Sequence, residues 1–92
     1  MSATLTAADF DPESSAPWRF RISSDASVEL RVIETKVKGD PRPFSVLFAG
    51  PLQPELTQAT FAASHPAQGD VDLFIVPVAR TADAMHYEAV FA

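Results

Sequence analysis

Two stretches of this chain, Pro43-Phe44-Ser45-Val46-Leu47-Phe48-Ala49-Gly50-Pro51 and Val71-Asp72-Leu73-Phe74-Ile75-Val76-Pro77-Val78, place large apolar residues at neighbouring positions. Each has the length of one β-strand. Successive side chains of a strand point to opposite faces, so these two are apolar on both sides and call for cover on both. Ninety-two residues make one domain. A chain of this size with two such strands is a compact, mostly β domain. The fold class is well constrained, whereas no residue cluster demands a particular chemistry.

The remaining strands follow from alternation. Trp18-Arg19-Phe20-Arg21-Ile22 and Val28-Glu29-Leu30-Arg31-Val32 each read apolar, polar, apolar, the pattern of a half-buried strand. With Ser23 to Ser27 as the turn, Ile22 faces Val28, Phe20 faces Leu30 and Trp18 faces Val32. The other side then sets Arg21 against Glu29 and Arg19 against Arg31. After Val32 the apolar set moves to odd positions, Ile33, Thr35 and Val37, which predicts a β-bulge and a bend. His65-Pro66-Ala67-Gln68-Gly69 fits a three-residue hairpin loop with Gly69 left-handed, setting Ala63 opposite Val71 and Phe61 opposite Leu73. Pro77 cannot donate to a ladder, which predicts a bulge or an unpaired stretch there. Met85 to Phe91 forms the last strand.

At the N-terminus Thr6 can cap a single turn of helix, with Leu5 and Phe10 as the flanking apolar pair. Pro12 limits that turn, and residues 11–17 read as an extended link laying Phe10 against the body. The proline-rich stretches 38–43 and 50–55 are loops. The expected fold is all-β: a small barrel or two-layer sandwich of about six mostly antiparallel strands over residues 18–92, after an extension at 1–17. The expected core is Phe20, Ile22, Leu30, Val46, Phe48, Phe61, Leu73, Ile75, Tyr87 and Phe91. No internal repeat is visible at this level.

Composition narrows the function classes. The chain has no cysteine, so disulfides and thiolate metal sites are excluded. Seven basic against twelve acidic side chains give a net charge of -5, and scattered arginines do not suit nucleic acid. No apolar run is long enough for a spanning helix. Met1 to Thr6 lacks the basic start and apolar stretch of a secretory signal, and the cytoplasm is the expected location.

The candidate chemistry is thin. His86 and Glu88 lie two apart on one strand and share a face, as a metal or acid–base pair would, yet three or four convergent ligands are needed. His65 before Pro66 reads as turn chemistry. Asp70 and Asp72 beside Gly69 lack the longer oxygen series of a calcium loop. The serines lie outside any nucleophile-elbow context. Catalytic, cofactor-binding and metal-binding residues are accordingly expected to be none. Arg19, Arg21 and Arg31 form a basic patch on the outer side of the first hairpin. With Arg42 from the following loop they are the candidate partner-binding surface.

The segment from Pro43 to Pro51, then Gln58-Ala59-Thr60-Phe61, His65-Pro66, Leu73-Phe74-Ile75-Val76-Pro77-Val78 and Tyr87-Glu88-Ala89-Val90-Phe91 resemble, in order, the DUF6916 family of small bacterial proteins. Ala49, Ala59 and Ala92 stand where that family commonly has a basic residue, Gly and Asn. The resemblance implies a context beside phage-tail-collar-type proteins and a structural or assembly role, with no reaction and no site residues to carry over. The expected function is a non-catalytic interaction or assembly protein, with a small-ligand-binding β-barrel as the alternative. The expected partner is a protein, with a tail-collar-type protein as the candidate, and self-association into a homo-oligomer through an exposed strand edge is a further expectation.

Overall fold

The structure, a computed structural model, describes residues 7–13, 16–39 and 43–91. Six antiparallel strands follow one 3₁₀ turn, Ala7–Asp9. They are β1 (Trp18–Ser23), β2 (Ala26–Val37), β3 (Phe44–Gly50), β4 (Ala59–His65), β5 (Gly69–Arg80) and β6 (Met85–Phe91). Their order around a closed barrel is β1-β2-β3-β6-β5-β4, with β4 returning to β1. The all-β expectation holds, and of its two architectures the barrel is the one adopted.

β2 and β5 are twelve residues long and each serves two ladders. The first half of β2 pairs with β1 and the second with β3, and β5 divides in the same way between β4 and β6. Each bends where its register shifts, between Val32 and Glu34 and between Pro77 and Ala79. These are the positions where the parity change and the proline predicted bulges. An extra residue sharpens local twist and lets a strand turn a barrel corner. The second hairpin also has its expected register, Ala63 opposite Val71 and Phe61 opposite Leu73. Gly69 has φ of +77°, which a residue with a Cβ adopts only under strain.

The first hairpin differs from expectation. Its turn is short, Ser23 pairs with Ala26, and the ladder slides by two residues: Trp18 faces Leu30, Phe20 faces Val28 and Arg19 faces Glu29. The tighter turn replaces an arginine–arginine pair with an Arg19–Glu29 ion pair of 3.4 Å. Ile22 falls at a register shift and is 38% exposed, so it is not a core residue. Thr6 and Leu5, the proposed cap and staple partner, lie outside the described residues.

An approximate two-fold symmetry relates the halves, which the sequence reading did not find. Both halves are three-strand meanders with a long bent middle strand. Val28-Glu29-Leu30-Arg31-Val32-Ile33 in β2 corresponds to Val71-Asp72-Leu73-Phe74-Ile75-Val76 in β5, and the two leucines each face an aromatic residue, Trp18 and Phe61. The halves meet at two seams, where Phe20 pairs with Ala63 and Leu47 with Glu88, and their bulges lie two residues apart in this alignment.

The interior is aromatic. Trp18, Phe20, Phe44, Phe48 and Tyr87 are fully buried with Leu30, Leu73, Ile75 and Val46. Phe61 and Phe91, expected in the core, are only partly buried and pack against it. Phe10, from the N-terminal segment, is also fully buried. It stacks on Trp18 at 5.1 Å and meets Phe91 at 5.2 Å and Phe44 and Phe48 at 6.2 Å. The Thr35 hydroxyl donates to the Phe10 carbonyl at 2.6 Å and fixes the segment in place. Across the barrel the buried Leu56 N–H donates to the Tyr87 hydroxyl at 2.8 Å, tying the β3–β4 connection to β6.

Two substitutions test this packing. Phe10→Ala is expected to cost about 3–5 kcal/mol, a large share of the roughly 5–15 kcal/mol typical of a domain. Tyr87→Phe leaves a buried N–H without its acceptor and is expected to cost about 1–3 kcal/mol. Urea denaturation of both variants beside the parent measures the two losses. A Cβ at Gly50 would collide with the fully buried side chain of Leu30. Gly50→Ala is therefore expected to lower stability by about 1–3 kcal/mol in the same assay.

Candidate interaction surface

The polar candidates from the sequence are spread over the barrel. His86 and Glu88 do share the outer face of β6, where they stand opposite Ala49 and Leu47 of β3. Asp70 and Asp72 lie on the outer face of β5, opposite Ser64 and Ala62. His65 is turn chemistry, its Nδ1 accepting the Ala67 N–H at 3.1 Å while the ring lies 4.9 Å from that of Trp18. Among the described residues no three His, Asp or Glu side chains are placed to hold one metal ion.

The arginine patch is partly assembled. Arg19 and Arg21 project from the outer face of β1, opposite Glu29 and Ser27, and Arg31 continues the same face on β2 opposite Ala49. Arg19 is engaged by Glu29, with both side chains more than half exposed. Among the described residues Arg21 and Arg31 have no carboxylate partner. Arg42 lies outside the described residues. Arg31 and Glu29 also line an outer groove of about 610 Å³, bounded by Pro12, Pro17, Pro51 and Asp83. That volume falls in the range of small-molecule sites.

The second feature was not singled out from the sequence. On the outer side of β3 the small residues Ser45 and Ala49 are buried and Leu47 is partly exposed. β5 presents larger groups. Leu73 and Ile75 point into the core, but Phe74 and Val78 are 50% exposed. Val90 on the outer face of β6 is 65% exposed. Register joins the outer residues into one surface, with Glu88 between Leu47 and Val76 and Val90 opposite Ser45. Single exposed apolar residues are ordinary, whereas a contiguous group of them marks a contact surface. The signal was available in the apolar run of β5, because Phe74 occupies a place where a half-buried strand carries a polar residue.

The symmetry supplies an internal control for this surface. The position in β2 that the six-residue correspondence sets beside Phe74 holds Arg31. The same architecture therefore appears twice in one molecule. At that position one half presents a charged side chain, Arg31, and the other an aromatic one, Phe74. The barrel itself does not require the apolar version.

The model of the family described as Domain of unknown function (DUF6916) matches residues 5–91. The chain belongs to that family. No curated protein and no solved structure matches it. The match to the DUF6916 model spans all six strands, the aromatic plug Phe10 and both outer faces. No helix among the described residues of this DUF6916 domain is long and apolar enough to cross a membrane.

If the outer face of β5 contributes little to the fold, neighbouring residues must respond differently to truncation. Leu73→Ala is expected to cost about 2–5 kcal/mol, and Phe74→Ala roughly 1 kcal/mol or less. Paired denaturation curves of the two variants check the contrast.

Proposed function

We propose that this domain is a non-catalytic interaction or assembly module that docks through the outer face of β3, β6 and β5. The observation that carries the reading is the set of large apolar side chains Phe74, Val78 and Val90 on β5 and β6, each at least half exposed. Full burial of a large apolar side chain is worth about 1.5–3 kcal/mol, so each of these residues retains a substantial part of that gain for a partner. The arginine face of β1 and β2 is a second, weaker contact area, because exposed charges contribute more to steering than to affinity. Closure of the barrel gives β1 to β6 neighbours on both sides, so the reading rests on a face and not on a strand edge.

A protein partner is proposed in place of nucleic acid or a membrane surface, given the net charge of -5 and the acidic residues beside the apolar face. The finer proposal, an accessory of a phage-tail-like or collar-type system, rests on what the family resemblance implies. A second reading, a small-ligand-binding barrel, is favoured by the groove beside Arg31. Its ligand would lie outside the barrel, because the interior is occupied by Trp18, Tyr87 and the buried phenylalanines.

The test is co-purification of the tagged domain from its own organism, comparing the parent with Phe74→Ser, Val90→Ser and Arg31→Ala. Partner recovery is expected to fall about tenfold or more with Phe74→Ser and Val90→Ser and to change little with Arg31→Ala. Equal recovery by all four proteins, each folded by circular dichroism, excludes this face.

A further inference from the structure

We propose that the β3–β6–β5 face takes a protein segment that seats a lysine or arginine over Glu88, with apolar side chains on either side covering Phe74, Val76 and Val90. The proposal rests on the reading of this face as an interaction surface and names the chemistry of its occupant.

Glu88 sits within the apolar group. Its cross-strand neighbours are Leu47 on β3 and Val76 on β5. Val90 follows two residues later on the same side of β6. The residue is only partly exposed, and among the described residues its carboxylate has neither an ion pair nor a hydrogen bond. The other charged groups on this side are of both signs, and Arg31 stands across Ala49 from His86. Glu34 stands opposite Leu47, and Asp72 precedes Phe74 by two positions on the outer face of β5. Lys36 on β2 faces Ser45, two strands away from β6, and makes no ion pair with Glu88. His86 lies two residues before Glu88, opposite Ala49.

A partner that covered this face with apolar groups alone would strip water from Glu88 and leave a buried charge unpaired, which is strongly unfavourable. A cation at that point completes the interface, and the long apolar stem of lysine or arginine packs on Leu47 and Val76. The same charge opposes a symmetric pair of these domains. An isologous contact centred on this face brings Glu88 toward its own copy, and like charges in a desolvated contact act against association. The occupant that fits is a segment of a different protein.

The probe is a library of random displayed peptides selected on the parent protein, on Glu88→Lys and on Phe74→Ser. Enriched peptides are then measured by fluorescence anisotropy against all three and against Glu88→Gln, with folding checked by circular dichroism. The parent is expected to enrich a basic residue flanked by apolar ones. Affinity should drop about tenfold or more with Glu88→Gln and with Phe74→Ser. Glu88→Lys should instead enrich Asp or Glu at the central position. Peptides that need Phe74 but tolerate Glu88→Gln overturn the cation while leaving the interaction surface standing. Absence of any peptide dependent on Phe74 overturns both. Concentration-dependent self-association in light scattering that Phe74→Ser abolishes assigns the face to a second copy and also overturns the proposal.

Discussion

Two twelve-residue strands, each shared between two ladders, are the constraint on which this small barrel depends. A strand can serve two neighbours in succession only if it turns, and β2 and β5 turn at their register shifts. The bend lets six short ladders close on a single interior without helices to cap the faces. The aromatic content follows from the same geometry. A narrow interior is filled by few side chains, so large rings are used, and Phe10 is brought from outside the strands to contact Trp18, Phe44, Phe48 and Phe91. The Phe10 carbonyl and the Leu56 N–H then find side-chain partners in Thr35 and Tyr87.

Much of this was legible from local chemistry. The parity change after Val32, Pro77, and the His65 to Gly69 loop each carry a backbone consequence that acts within a few residues. The bulges and the second hairpin appear where those signals put them. The first hairpin was misread because Ser23 to Ser27 permits more than one turn length, and apolar pairing alone does not separate registers two residues apart. The Arg19–Glu29 pair and the exposure of Ile22 resolve the choice. The two-fold relation was missed for a different reason. Its sequence trace is six residues long, and it becomes clear only when both halves are seen as three-strand meanders with a long, bent middle strand.

The candidate surface was less legible than the fold. Arginines attract attention in a sequence because charge suggests contact, and Arg19 and Arg31 do share an outer face. Phe74 drew no attention because a strand apolar on both sides was expected to be covered on both, and Val90 was not singled out beside His86 and Glu88. Only the structure reveals that the outer side of β3 carries small buried residues, Ser45 and Ala49, while that of β5 leaves Phe74 half exposed. An apolar residue is informative on a surface, and a linear pattern does not say which side of a barrel it faces.

The near-equivalence of the halves bears on how such a surface can arise. Geometrically the domain is a pair of meanders joined by residues 51–58. Were the pair built from separate identical chains, any alteration outside would occur in duplicate, and a sticky outer wall would come with a twin on the opposite flank. Joining them in one polypeptide removes that coupling. One flank can stay hydrated around Arg31 while the other specialises around Phe74, and a scaffold with mirrored roles acquires a front and a back.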